Sequence, residues 1–199
     1  MKMLDCFCGM GGVSDGFAKE GFKVTGIDIV NAPEMLGYKH NFIQADIKEL
    51  DGKDFQGYDV IWGSPPCRNF TSIARIARNW KEPCDPKKGL ELVNAYLNFK
   101  NKAKPNFWIM ENVPGLANHL PFKPEMKAQI KPNMWRVFYG NFPAFLMPRY
   151  EKFVPVEKQS PRAIRSWKSA KIPLPCSKAF ARACKRALTV RDEKENLSV

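Results

Sequence analysis

Lys2 to Phe17 reads KMLDCFCGMGGVSDGF. Lys2 to Cys8 is a short apolar run with the character of a buried strand, Gly9-Met10-Gly11-Gly12 is a glycine turn, and a helix follows with Gly21 as its C-cap. Strand, glycine turn and helix in that order open many α/β folds, because glycine lets backbone approach a ligand where a Cβ would intervene. The rest of the chain repeats the pattern. Phe22 to Asp28, Phe42 to Ala45, Tyr58 to Trp62 and Asn106 to Met110 read as further strands. Helical spacing of Leu90, Val93 and Leu97 predicts a helix from about Lys88 to Lys102. Strands alternating with helices imply a Rossmann-like, mostly parallel, doubly wound sheet, whose ligands gather at the carboxyl ends of the strands. Asp5, Gly9, Asp28, Asp46, Cys67 and Glu111 all fall at such ends. Beyond Pro114 the pattern weakens. Strands are expected at Trp135 to Phe142 and Lys152 to Val156, a short helix at Thr71 to Asn79, and a last helix at Ser177 to Val190.

The chain has 199 residues, the usual size of one domain, and 44% apolar composition. It holds no uninterrupted apolar run of the roughly 18 residues that a membrane span needs. The strand pattern begins at the first residues, so no leader is expected. Cys6, Cys8, Cys67, Cys84, Cys176 and Cys184 show no paired CxxC spacing, which suggests neither metal nor disulfides and favours a reduced, cytoplasmic protein. The net charge of +12 is uneven: residues 1 to 148 carry +4, residues 149 to 191 carry +10, and the last eight carry −2. A basic C-terminal quarter suits a phosphate backbone; it also suits a solvated surface. The final stretch, 192 to 199, is expected as a disordered tail.

Asp28 stands sixteen residues after Gly12, where a carboxylate can accept both hydroxyls of a ribose. Asp46, at the next strand end, suits an adenine amino group. With Asp5, Gly9, Gly11 and Gly12, these positions point to a nucleoside-type cofactor such as S-adenosylmethionine. The glycine spacing departs from G-x-G-x-x-G, and no Lys-Ser/Thr follows as a P-loop requires.

A second group begins in GSPPCRNFTS, Gly63 to Ser72. Pro65 and Pro66 give no N–H to a sheet and fix their backbone, so they end the strand and leave Cys67 on a stiff turn. Arg68 and a helix N-terminus nearby would favour the thiolate. Glu111, in MENVPG, would be kept protonated in a partly apolar pocket. Thiolate, proton donor and methyl sulfonium together suit one chemistry. Cysteine adds to C6 of a pyrimidine, the carboxyl group engages N3, and C5 becomes nucleophilic enough to take a methyl group. C6 is stacked inside a duplex, so the base must be single-stranded or flipped out.

These stretches resemble the C5-cytosine DNA methyltransferase family: LDCFCGMGGVSDGF its cofactor motif, GSPPCRNFTS its nucleophile motif, and MENVPGL its glutamate motif, with 44 positions from Cys67 to Glu111. The resemblance implies that Phe7 packs on adenine and that Asp28 and Asp46 hold ribose and adenine. Ile29, Ile47 and Pro65, beside them, complete the cofactor set. It further implies that Pro66 and Cys67 form the nucleophile turn, that Glu111 engages the cytosine edge, and that Asn112 supports the loop. The family's glutamine and two arginines after the glutamate motif find their nearest match in MPRYEKF, which offers Arg149 as the base-side arginine and Lys152 beside it. SAKIPLPCSKAFARACKRAL resembles the closing cofactor-side segment. Between them, residues 154–168 are a vestige of the usual target-recognition region, so recognition of double-stranded DNA is expected to rest on phosphate contacts from Arg68, Arg75, Arg78, Lys152, Arg162 and Arg165, with relaxed sequence preference. A monomer is expected. Two other readings stay open: a silent module that keeps the cofactor fold and holds nucleic acid, and an enzyme acting on RNA or on single-stranded or modified pyrimidines.

Overall fold

The computed structural model describes residues 1–71, 84–148, 167–168 and 170–197, with side chains as far as residue 194. The chain forms β1 (Lys2–Cys6), α1 (Gly12–Lys19), β2 (Lys23–Asp28), α2 (Ala32–Leu36), β3 (Asn41–Gln44) and β4 (Val60–Gly63), followed by α3 (Pro86–Ala103), β5 (Phe107–Asn112), β6 (Met126–Lys131), β7 (Met134–Gly140) and α4 (Leu174–Leu197). The seven strands make one sheet in the order β3-β2-β1-β4-β5-β7-β6. The first five run parallel, β7 runs antiparallel to β5, and β6 runs antiparallel to β7. This is the Rossmann-like α/β architecture expected from the alternation of strands and helices.

Parallel strands covered on both faces must be apolar in both registers, and β1 and β4 are. Met3 and Trp62 face one side, where α1 and α4 pack; Leu4, Cys6 and Ile61 face the other, beneath α3. On the first side the rings of Trp62, Phe138 and Phe180 meet with centroids 4.9 to 6.0 Å apart. Gly16 of α1 lies so near α4 that a Cβ there would stand 2.1 Å from Ser177 Oγ. On the second side, Tyr96 of α3 donates its hydroxyl to the carbonyls of Ile61 and Ile109 at 3.1 and 2.8 Å. Register brings Cys6 beside Ile27 and Gly63, and Gly63 beside Met110. The carboxyl ends of β1, β2, β4 and β5 therefore share one rim.

Several expectations change. β5 extends to Asn112, so Glu111 and Asn112 are strand residues and not its sequel. The strand expected at Trp135 to Phe142 is β7, and its edge partner β6 has no counterpart in the sequence reading. α4 runs through Leu197, so residues 192–197, expected as a disordered tail, are helical. The short helix expected after Thr71 and the strand at Lys152 to Val156 lie outside the described residues.

Candidate active site

The shared rim opens into a cavity of about 720 Å³. Asp5, Phe7, Gly9, Gly12, Asp28 and Ile29 line one part of it, with Asp46 and Ile47; Pro65, Pro66, Cys67 and Glu111 line another. Gly11 and Asn112 do not reach it. Gly11 is the left-handed residue that starts α1, φ 70°. Asn112 lies behind the wall, donating from Nδ2 to the Pro65 carbonyl at 2.9 Å and accepting from Val113 N–H at 2.9 Å. It thereby ties β5 to the proline turn.

Phe7 leaves β1 in the left-handed conformation, φ 62°, a strained geometry for a large side chain. Gly9 N–H donates to Asp28 Oδ2 at 2.9 Å and Val30 N–H to Oδ1 at 3.2 Å, which orients that carboxylate at the rim while each oxygen keeps a lone pair. Burial holds Asp28 above the usual carboxylate range despite those bonds. Asp46 caps the 3₁₀ turn Ile47–Glu49 through Lys48 N–H, 3.0 Å, and pairs with Lys48 Nζ at 3.5 Å. Asp5, 1% exposed, accepts from the amide and hydroxyl of Ser14 at 3.2 and 2.6 Å; burial outweighs these bonds and lifts it to about 7.

Cys67 starts the 3₁₀ turn Arg68–Phe70 and is partly exposed. Phe70 anchors that turn: its ring lies against Gly89 of α3 and its carbonyl against Gly115. The helix expected to bring its N-terminus to the thiol, Thr71 to Asn79, lies outside the described residues apart from Thr71. The turn is only three residues long, and burial together with the Glu111 charge pushes the thiol above its ordinary value, opposed by the Arg136 cation and a hydrogen bond from Thr71. Glu111 is likewise raised, mainly by burial, against Arg136 and Ser64. Arg136 Nε lies 2.5 Å from Glu111 Oε1, and both side chains are nearly buried.

Residues 1–146 match the family model of C-5 cytosine-specific DNA methylases. The chain belongs to that family. A type II methyltransferase of Thalassovita gelatinovora is 29% identical over 135 residues, 59% of this chain and 29% of its own length. A putative type II methyltransferase of Methanocaldococcus jannaschii is 32% identical over 145 residues, 64% of this chain and 45% of its own. The chain thus spans less than half the length of these curated relatives. Among solved structures, a putative DNA modification methyltransferase encoded within an E. coli prophage shares the fold, with a TM-score of 0.51 and 21% identity over 70% of this chain and 46% of that one.

Within this site, sequence reasoning missed Arg136. It sought the base-side arginine at Arg149, outside the described residues, whereas β7 delivers a buried guanidinium to Glu111. An arginine inside the apolar alternation of MWRVFYG was the available signal, since a charge there needs a partner. Trp167 was missed too. Placed by the sequence in the vestigial recognition region, it lines the cavity with Ala170, Lys171 and Ile172, its ring where a Cβ on Gly9 would stand. Lys171 fastens this wall through Asp15 at 2.8 Å. The basic quarter is also partly committed: Lys178 and Arg182 pair with Glu20 at 3.3 and 3.1 Å, and Lys185 Nζ donates to the Glu20 carbonyl. Those charges hold α4 to the end of α1. Arg68 is exposed beside the nucleophile turn; Arg75, Arg78, Lys152, Arg162 and Arg165 lie outside the described residues. No helix among the described residues is long and apolar enough to cross a membrane.

Proposed function

We propose that this chain transfers a methyl group from S-adenosylmethionine to C5 of cytosine in DNA, through a covalent Cys67 adduct on a base turned out of the duplex. The observation that carries this reading is the meeting of a thiol, a buried carboxyl–guanidinium pair and an adenosine-shaped acidic rim around one cavity. The residues suit the cofactor. Gly9 and Gly12 let Trp167, Lys171 and Ile172 close against the glycine turn as one wall of the cavity, Asp28 presents an oriented carboxylate for a ribose, and Phe7 and Ile29, the latter 63% exposed, offer apolar surface for an adenine. When bound, S-adenosylmethionine supplies an electrophilic methyl group on a sulfonium.

The chain's own residues do the rest. Arg136 pairs with Glu111 at Oε1, and Ser64 also bonds to this carboxyl, so the group that meets the base is held in place from behind. Glu111, its carboxyl raised by burial against the pull of Arg136, gives a proton or a hydrogen bond to cytosine N3. This draws electrons from C6, to which Cys67 adds as thiolate; the C6–S bond forms and the C5=C6 π pair moves toward C5. C5 takes the methyl group as the methyl–sulfonium bond breaks and leaves a neutral thioether; C5 then gives its proton to a solvent base, N3 returns its proton or hydrogen bond to Glu111, and the C6–S bond breaks to return the thiolate. Asn112 keeps the Pro65–Pro66 turn against β5, so Cys67 stays in place through both steps. Incubating the chain with methyl-labelled cofactor and duplexes containing 5-fluorocytosine tests it, since fluorine at C5 blocks elimination. The expected result is a trapped protein–DNA adduct that Cys67→Ser abolishes while cofactor binding persists; turnover retained by Cys67→Ser would overturn the covalent mechanism. A chain that binds cofactor and nucleic acid but labels nothing would be the silent module.

A further inference from the structure

On the far face of β7 from Arg136 stands an indole with no assigned task. Trp135 is 47% exposed on the edge hairpin β6–β7, opposite Gln129, with Lys127 Nζ 5.5 Å from its ring centroid. Side chains at 135, 137 and 139 share this face. Val137 and Tyr139 are buried, and Phe122, 39% exposed, packs its ring on Tyr139 at 5.6 Å. β6 is the sheet's outer strand. Phe138 pairs with Glu111 across β5 and β7, so Trp135 lies three residues nearer the rim than the catalytic carboxyl level, about 10 Å along the strand. That is about three nucleotide steps at 3.4 Å rise per strand. Cys67 packs against the core on the same side of the sheet as Val137 and Tyr139.

We infer that Trp135, with Lys127 beside it, is a stacking platform for the nucleic-acid strand flanking the target base. Every base has a π-face, so an exposed indole holds a base without reading its sequence, and a neighbouring ammonium meets the adjacent phosphate. Exposed Lys127 gives this face positive charge beside Trp135; exposed Glu125 and Lys123 precede β6, at its end away from the rim. The same charges oppose a second copy of the chain as occupant, since edge-to-edge pairing would bring lysines together. A stacking site next to the cavity also takes up a strand whose own stacking is broken when a base leaves the helix. The inference rests on the methyltransferase reading for its substrate.

The full chain is titrated, with cofactor present, against a fluorescently labelled cytosine-containing single strand and the corresponding duplex at fixed salt. Trp135→Ala is expected to weaken binding by about 5- to 150-fold, the loss of one stacked base. Trp135→Phe is expected to stay within a few-fold of the wild type, and cofactor affinity measured by calorimetry to stay unchanged in both. If Trp135→Ala binds nucleic acid like the wild type while methyl transfer is intact, this inference falls and the methyltransferase reading stands. If the wild-type chain binds no nucleic acid, both fall. Sedimentation showing a dimer that Trp135→Ala dissolves would assign the face to a second copy and overturn the inference.

Discussion

Asp5 gives the protein a pH signature that one substitution should erase. Its carboxyl is 1% exposed, and burial, helped by the charges of Asp28 and Asp15, lifts it from 3.8 to about 7 against two bonds from Ser14. In the unfolded chain the group loses its proton near 3.8; in the native protein it keeps it up to about 7. Between those values the native state binds more protons, so stability is fully present below the lower value and declines as pH rises through the upper one. At 1.36 kcal/mol per unit, the decline attributable to Asp5 is about 4 kcal/mol in all, and about 3 kcal/mol of it lies between pH 5 and 8. Asp5→Asn carries no titrating proton, and its amide oxygen accepts from the Ser14 amide and hydroxyl as the acid does. Urea unfolding of both proteins in half-unit steps should show the variant gaining on the wild type by about 3 kcal/mol from pH 5 to 8. The carboxylates held low, Asp15 and Glu20 among them, are common to both chains and cancel in the difference. Parallel profiles, agreeing within about 0.5 kcal/mol, would refute a neutral, buried Asp5.

The other predictions concern the neighbouring walls. Arg136→Met removes the cation that lowers both Glu111 and Cys67, so single-turnover transfer should drop on the order of 100-fold at neutral pH, with its rise displaced to higher pH. Arg136→Lys should recover part of the rate; an unshifted pH profile in the Met variant would show that the guanidinium does not poise the pair. Gly9→Ala places a Cβ 2.8 Å from the Trp167 ring at φ 48° and should weaken cofactor binding about 10-fold by calorimetry. Wild-type affinity there would mean that Trp167 leaves the wall when the ligand enters. Gly16→Ala drives a methyl into Ser177 and the Lys178 amide and should cost about 1–3 kcal/mol in urea unfolding. A neutral outcome would mean that α1 and α4 are not closely packed.

What could be read from residues alone was whatever local chemistry dictates. Glycines at 9, 11 and 12, two prolines before Cys67 and the carboxylates Asp5, Asp28, Asp46 and Glu111 at or just past strand ends are short-range signals, and the strands they punctuate lie where the spacing puts them. β6 escaped although MKAQIK alternates, because the run is short, Lys and Ala are poor strand formers, and it has a bulge between Gln129 and Lys131. Its place is fixed by pairing with β7, a long-range choice that no local propensity encodes. α4 outran its expected end because the acidic run Asp192–Glu193 resembles a solvated tail, while Arg191 reaches back to Asn106.

Arg136 marks the deeper limit, since the chemistry of its site is set between strands. Glu111 on β5 and Arg136 on β7 are 25 residues apart, and they meet because antiparallel register puts Glu111 beside Phe138 and carries the next same-face residue toward the rim. From the sequence, a strand-end glutamate in an apolar pocket is expected to be protonated; in the fold its carboxyl is raised by burial yet paired with Arg136 at Oε1. Removing the arginine therefore differs from removing the carboxyl group. Without Glu111 the base loses its partner at N3, whereas without Arg136 the partner remains but is free to turn and holds its proton more tightly. Glu111→Gln should thus depress the rate at every pH, while Arg136→Met should restore part of its lost rate as pH rises. Coincident profiles for the two variants would show that the pair acts only as structure and that the cavity's chemistry lies elsewhere.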